Sequence, residues 1–346
     1  MSTTTTRVEE SRRRALSGGK RLVALVGRVR ELGLIVVLLA IVALVGLQTP
    51  RFLTPGNFEQ ILLSIAILAI VAVGETMVIL TRNVDLSVGS TVGMTAFVCA
   101  DVLKNHPQTP VILIVLLGCA LGAVLGAVNG LIVALGRVPA IVATLGTLYL
   151  YRGLDSYIAG GTQVSAYDVP DSFLSLATTH ILGVPALIVF AAAIALIFAY
   201  LLRATRTGRE LYALGSNPEA ARLAGLRAER LIFLTFLLCG LLSGFAGVLW
   251  GARFATVDSG AATGLELQVI AAVVVGGVNI FGGSGTILGA MLGAIVLGTI
   301  DNALTLLKLS QFWLQAIDGA AILAAVTLDA LITRWLQRRL RSGRQR

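Results

Sequence analysis

Ionisable and amide side chains set inside long apolar runs are the first candidates for chemistry, because polar groups at membrane depth are costly to keep there. Glu75 and Thr76 interrupt the run 61–81, and Asn129 interrupts 111–135. Asp301 and Asn302 lie in 285–307, and Asp318 lies in 312–332. Three uses fit such residues: a titrating group for proton or ion coupling, a polar wall that wets a solute path, or hydrogen bonding between helices. The segment 80–90 joins two runs and carries Asn83, Asp85, Ser87 and Ser90. Asp85 or Ser87 can cap the helix that follows. A helix N-terminus with these side chains offers donors and acceptors to a hydroxylated solute. A plain capped turn explains the same residues. Arg82 with Asp85, and Arg152 with Asp155, have the spacing of three that allows pairing at helix ends.

No catalytic constellation accompanies them. The only Gly-Lys pair, Gly19-Lys20, is followed by Arg21, so no phosphate-cradling GxxxxGK[ST] loop exists. HExxH and GxSxG are absent, and His106 and His180 fall between apolar runs. Cys99, Cys119 and Cys239 lie inside apolar runs without metal-ligand or CxxC spacing, as small core residues do. No catalytic or metal-binding residue is expected. An intramembrane enzyme would need a paired nucleophile and base, which the chain lacks.

The elements that must position these residues are transmembrane helices. Of 346 residues, 56% are apolar and 13% charged, and mean hydropathy is +0.89. One soluble core cannot bury that much apolar surface, since cores stop growing beyond about 250–300 residues. A helix needs about 20 apolar residues to cross a bilayer. Long runs occur at 61–81, 111–135, 181–202, 231–252 and 312–332, and shorter or glycine-interrupted ones at 33–48, 86–103, 138–151, 265–281 and 285–307. The expected fold is an all-α, polytopic membrane helix bundle of about 10 transmembrane helices, with both termini cytoplasmic.

The net charge of +9 follows the same plan. With a cytoplasmic N-terminus, 22 of the 27 Lys and Arg residues fall on the inner side. The outer side receives Arg51, Lys104, Arg152, Arg253 and Lys308. This is the asymmetry of the positive-inside rule. Nucleic-acid binding wants a basic stripe with aromatic interleaving, and aromatics are 6%. Residues 1–32 read as a basic cytoplasmic tail rather than a cleaved signal peptide, 33–335 as the transmembrane domain, and 336–346 as a second basic cytoplasmic tail.

Glycines at small-xxx-small spacing (Gly118, Gly122, Gly126; Gly285, Gly289, Gly293) suit close helix packing, or the wall of a narrow path. Residues 84–90 and 278–284 share V-[D/N]-[L/I] ahead of Gly-Ser, a short sign of internal duplication.

The inner segment 203–230 carries a bracketed helix. Asn217 suits an N-cap, Pro218 the first helical position and Gly225 the residue past the end, so a helix spans about 218–224. Two turns do not hold alone in water. The helix must dock on its own bundle or on a soluble partner, and Ala220, Ala221 and Ala224 form a small face.

Glu219-Ala220-Ala221, three residues, then Gly225 resembles the EAA…G cytoplasmic loop of ABC importer permeases. The wider string 208–226, with residues 80–90, 138–148 and 276–286, is similar to the ribose-type permeases, and the likeness covers about residues 50–335. Thr81-Arg82-Asn83 with Tyr149-Leu150-Tyr151-Arg152-Gly153 looks most like the autoinducer-2 and rhamnose branches. The resemblance implies a binding-protein-dependent permease subunit, multi-pass in the cytoplasmic (inner) membrane, for a monosaccharide or sugar-like solute. Its implied partners are a cytoplasmic ABC ATPase, an extracytoplasmic sugar-binding protein, a second permease subunit and lipid, without nucleic acid. No cofactor belongs to this chain; ATP and Mg are used by the ATPase. Residues 203–230 become the coupling loop, with Ser216, Asn217, Pro218, Glu219, Ala220, Ala221, Arg222 and Gly225 facing the ATPase. Glu75, Thr76, Asn83, Asp85, Ser87, Ser90, Asn129, Asp301 and Asn302 are the candidate path residues. The rival is an ion-coupled secondary sugar carrier that uses Glu75 or Asp301.

Overall fold

The computed structural model describes residues 32–310, 312–324 and 327. The N-terminal tail, the tail 336–346 and most of 325–332 lie outside the described residues. Each of the ten apolar runs is occupied by a helix: α1 Leu32–Gln48, α2 Pro55–Leu80, α3 Val88–Asn105, α4 Val111–Ala134 and α5 Ala140–Ala159 in the first half. Beyond these come α7 Ala186–Ala204, α10 Ala228–Phe254, α11 Leu265–Val275, α12 Ile287–Leu306 and α13 Phe312–Ala324. Three short helices lie between spans: α6 Asp171–Thr178, α8 Arg206–Ser216 and α9 Pro218–Leu223. A two-residue hairpin, β1 His180–Ile181 and β2 Val184–Pro185, is the only sheet among the described residues. Among the described residues five helices, α2, α4, α7, α10 and α12, are long and apolar enough to cross a membrane. The molecule is an all-α membrane helix bundle.

Helix α2 is its axis. Its best apolar window is 89% buried inside the protein, against 28% for α4 and for α7, which turn most of their surface outward. Lipid is as apolar as leucine, so close contact between backbones holds such helices together. Gly118, Gly122 and Gly126 of α4 meet Gly240 and Gly244 of α10, where a Cβ on Gly122 would come within 2.6 Å of the Gly244 Cα. Gly289 and Gly293 pack in the same way on Ala272 and Gly276. The small-residue spacing therefore serves packing at these positions. Gly285 does not join them: it precedes α12 and has φ +137°.

Several boundaries differ from those of the apolar runs: helix begins at Pro55 rather than 61 and at Ala186 rather than 181, and three further changes bear on the site. The run 138–151 continues as helix to Ala159 and stops at Gly160 in the left-handed region. Arg152 and Asp155 end the apolar pattern without breaking the backbone, so both sit inside α5 rather than in an outer loop. The run 265–281 is helical only to Val275. Gly277, Gly282, Gly283 and Gly285 all have positive φ and fold 276–286 into turns. The start of α3 moves from 86 to Val88, because 81–87 folds back along α2 until the Asp85 amide donates to Glu75 Oε1 at 3.0 Å.

The connections gather at two ends. At one, the Gly283 amide donates to the Leu80 carbonyl (3.0 Å), and the Thr144 hydroxyl donates to Val84 O (3.2 Å). At the other, Val164 and Val257 exchange backbone hydrogen bonds at 2.9 Å, and Lys104 lies 3.9 Å from Asp168. His180 Nε2 lies 3.5 Å from Glu59 at that same end.

Candidate functional site

The segment 205–227 is built from local signals. The Thr205 hydroxyl accepts from Gly208 N and starts α8. The Asn217 side chain accepts from the Ala220 amide at 3.1 Å and starts α9, with Pro218 at its first position. At the far end the Gly225 amide donates to Arg222 O (2.9 Å) and the Leu226 amide to Ala221 O (3.0 Å). That is the double bond pattern of a glycine-ended helix, and Gly225 has φ +80°. The helix read over 218–224 thus exists, one residue shorter.

Its two faces differ. Ala221 is buried against the bundle, whereas Glu219, Ala220, Arg222 and Ala224 are exposed, and Leu223 is 91% exposed. The expected small face is therefore divided: Ala221 serves intramolecular docking, and Ala220 and Ala224 stay open. An apolar leucine left outside a two-turn helix faces either water or a partner.

The bundle grips this segment just ahead of α9. Arg82 donates from Nε to Gly215 O at 2.5 Å and from Nη2 to Ser216 O at 2.9 Å. The Ser216 hydroxyl donates to Tyr212 O (2.8 Å) and to Gly283 O (3.3 Å), and Tyr212 Oη donates to Gly285 O at 2.8 Å. Burial pushes the Tyr212 phenol up, so it remains a donor. Gly215 leaves no room for a side chain, since a Cβ there would overlap the Leu80 carbonyl and the Gly283 amide. The two look-alike segments 84–90 and 278–284 thus flank the same corner. Arg82 does not pair with Asp85 as its spacing suggested, because its left-handed backbone (φ 67°) and its carbonyl partners take it to α8.

One and a half turns deeper lies a closed polar knot. Glu75 Oε1 accepts from the Asp85 amide, and Asp85 Oδ1 accepts from the Ser87 amide (2.9 Å) and the Ser87 hydroxyl (2.7 Å). The Asn129 amide nitrogen donates to Ser87 Oγ at 2.7 Å and, longer, to both Asp85 oxygens at 3.4 Å. Tyr151 Oη donates to Leu125 O (2.9 Å) and reaches Asn129 Oδ1 at 3.3 Å. The Cys239 thiol lies 3.8 Å from Glu75 Oε2. Every one of these side chains is at most 2% exposed. The knot joins α2, α3, α4, α5 and α10 through hydrogen bonds between helices, one of the three uses open to these residues. Ser87 is the N-cap residue of α3, but its hydroxyl goes to Asp85 and no side-chain cap bond forms. Ser90 closes on Ser87 O (2.8 Å), Thr76 on Ala72 O (2.6 Å), and Asn83 on Thr81 (2.9 Å).

Asp301 and Asn302 do not join this knot. Asn302 exchanges two 3.0 Å hydrogen bonds with Asn57 at the start of α2. That is 18 residues from Glu75, about 27 Å along a helix. Asp318 is buried near Asp301, with its Oδ1 unpartnered. Nor does Arg152 donate to Asp155: its Nη1 goes to Ala261 O (2.5 Å) and Ser259 O (3.3 Å), and both Asp155 oxygens are buried without a hydrogen bond. Sequence reasoning missed Tyr151, Cys239 and Tyr212 as partners. Only a polar group inside an apolar run marked Tyr151, and nothing marked the other two.

The fold and the site together make a membrane helix bundle with a polar knot at its heart and a gripped, half-exposed surface helix. Residues 57–326 match the family described as branched-chain amino acid transport system / permease component, and the chain belongs to it. The chain is similar to the autoinducer 2 import system permease protein LsrC of Salmonella typhi, 38% identical over 307 residues, covering 88% of this chain and 87% of that protein. The LsrC protein of Enterobacter sp. (strain 638) is 39% identical over 313 residues, 90% of each chain. The ribose import permease protein RbsC of Escherichia coli (strain K12) is 39% identical over 297 residues, 85% of this chain and 92% of that one.

Proposed function

We propose that this chain is the membrane-spanning permease subunit of an ABC importer for a monosaccharide or sugar-like solute of the autoinducer-2, ribose or rhamnose type. The observation that carries the reading is α9, a capped two-turn helix gripped from behind by Arg82 and Gly283 and open in front at Ala220, Leu223 and Ala224. A separate cytoplasmic ATPase docks there, and its closure pulls on the bundle through Ser216 and Arg82. Relatives that import autoinducer 2 and ribose support the substrate class. ATP and Mg belong to the ATPase, and this chain holds no ATP site and no cofactor. An extracytoplasmic sugar-binding protein delivers the solute, and a second permease subunit completes the pathway.

In this reading ten helices cross the inner membrane with both termini cytoplasmic. Residues 1–32 and 336–346 are basic tails, and 33–335 form the transmembrane domain with 203–230 as its coupling loop. Glu75, Asp85, Ser87 and Asn129 form the closed inner gate of the path. Thr76, Asn83 and Ser90 brace that gate, and Asp301 and Asn302 brace the opposite end.

Disulfide cross-linking of the assembled importer tests the docking. Cysteines at Ala220 and Leu223 cross-link to the ATPase, whereas one at Ala221, buried against the bundle, does not. Failure of both exposed positions in an assembled complex refutes the reading.

A further inference from the structure

The charged residues of α5 have no place in the coupling corner or in the polar knot. Arg152 lies two turns inside the helix end, and the charges around it are the carboxylates of Asp155, Asp258 and Glu266. An arginine inside a span is costly and calls for a use. What it does in the structure is hold a loop, through the carbonyls of Ser259 and Ala261. The same loop is pinned a second time by the paired backbone bonds between Val257 and Val164. Two left-handed alanines, Ala255 (φ 57°) and Ala262 (φ 56°), bend it back toward the bundle.

Beside this loop opens a cleft of about 340 Å³ lined by Trp250, Phe254, Thr256, Asp258, Ala261 and Thr263. Its volume is at the small end of ligand sites, which run from about 300 to 1,000 Å³. One wall is aromatic: the Trp250 and Phe254 rings lie 4.4 Å apart at 43°, and the Arg253 guanidinium sits 5.5 Å from the Phe254 ring centre. The other wall is polar. Asp258 Oδ1 accepts from the Gly260 amide at 2.8 Å, which leaves its second oxygen available. The Thr263 hydroxyl donates to Gly260 O (2.7 Å), and the Thr256 hydroxyl makes no hydrogen bond among the described residues.

Two tilted aromatic rings lining the same cleft as a carboxylate and hydroxyls match a ring that carries C–H groups on its face and hydroxyls at its edge. We propose that this cleft is a holding site for a polyhydroxylated ring solute, in which Trp250 and Phe254 cover the ring face and Asp258 and Thr256 accept its hydroxyls. Arg152 is the positioning residue that holds the 258–261 loop at the cleft. The cleft lies at the end opposite the α8–α9 corner, where an importer receives its solute. The proposal rests on the importer reading above and adds to it a site on the permease itself, ahead of the inner gate.

Saturation-transfer NMR on the full-length chain in lipid nanodiscs, with D-ribose and L-rhamnose as probes and no binding protein, tests it. At least one sugar shows saturable transfer in the wild type. Asp258→Asn weakens it about tenfold, the loss of one charged hydrogen bond. Trp250→Leu abolishes it, and Trp313→Leu, a change at an exposed residue outside the cleft, leaves it unaltered. Saturable transfer that Asp258→Asn and Trp250→Leu leave intact overturns the proposal. So does the absence of transfer when the same protein, reconstituted in proteoliposomes with binding protein and ATPase, imports that sugar, and the importer reading then stands. Absence of both binding and import overturns both.

Discussion

Arg82 and Ser216, 134 positions apart, are joined by a 2.9 Å bond from the Arg82 guanidinium to the Ser216 carbonyl. Ser216 is the last residue of α8, next to the Asn217 cap of α9, and Arg82 stands three residues before Asp85 in the buried knot. A displacement of α9 therefore reaches the helix core through one side chain and a short stretch of backbone.

Replacing Arg82 by Ala removes two hydrogen bonds, each worth about 0.5–1.5 kcal/mol at an exposed position. ATP hydrolysis by the assembled importer continues, while solute import per ATP falls roughly tenfold, the factor that 1.4 kcal/mol sets. Arg82→Lys recovers only part of the loss, because an ammonium lacks the planar fork that spans two carbonyls. Paired measurements of hydrolysis and uptake in proteoliposomes decide this. An equal fall in both would show that Arg82 only stabilises the fold.

Gly215→Ala forces a methyl into the Leu80 carbonyl and the Gly283 amide. Overpacking of that kind costs about 1–3 kcal/mol, read as a lower melting temperature in detergent. Gly146→Ala is the matched control, with nothing within 4 Å of the added carbon. It is neutral or stabilising by up to about 1 kcal/mol, since alanine is the better helix former.

Asn129→Leu withdraws the donor shared by Ser87 and Asp85. A buried acceptor left without its partner costs about 1–3 kcal/mol. Tyr151→Phe, which removes a single hydroxyl, has about half that effect. Thermal unfolding of the two variants gives that ranking; the reverse ranking would make Tyr151 the centre of the knot.

Glu75→Gln and Asp301→Asn separate ATP-driven import from ion-coupled transport. Under the importer reading both variants keep more than about half of the wild-type uptake, because an amide preserves the hydrogen-bond geometry. A protonophore at constant ATP leaves uptake unchanged. Loss of uptake in either variant, together with protonophore sensitivity, would establish the ion-coupled carrier instead.

Arg152 and Asp155 are ionisable neighbours inside α5 without a hydrogen bond between them. Arg152→Gln removes the cation beside Asp155 and weakens the bonds to Ser259 O and Ala261 O, which destabilises by about 1–3 kcal/mol. Adding Asp155→Asn to Arg152→Gln restores part of that loss, because no uncompensated charge then remains. A double-mutant cycle on melting temperature measures the interaction. Simple additivity would show that the two charges ignore each other.

Much of the architecture was legible beforehand because its signals are local. Apolar runs located ten of the thirteen helices named above, since lipid demands that every backbone group be bonded within its own segment. The α9 boundaries were readable to within a residue, because an asparagine cap, a proline and a left-handed glycine each impose their geometry on adjacent residues only. The pairing of Arg82 with Asp85, and of Arg152 with Asp155, was not readable. Spacing of three makes a pair possible, but backbone carbonyls from distant segments compete for an arginine, and here they win. The ends of the runs 138–151 and 265–281 misled for a related reason: hydropathy reports the neighbourhood of a residue, whereas these two helices stop where the backbone turns left-handed, at Gly160 and Gly277.

The sequence by itself determined the membrane setting, the ten apolar helices and the capped surface helix, because hydropathy and capping act over a few residues. Only the tertiary structure decided which polar residues belong together. It drew Glu75, Asp85, Ser87, Asn129 and Tyr151 into one knot, sent Asn302 to Asn57, and turned Arg152 toward the loop beside Trp250. The reason is that a buried polar group must find a partner wherever the packed helices place one, and that choice is made across the bundle rather than along the chain.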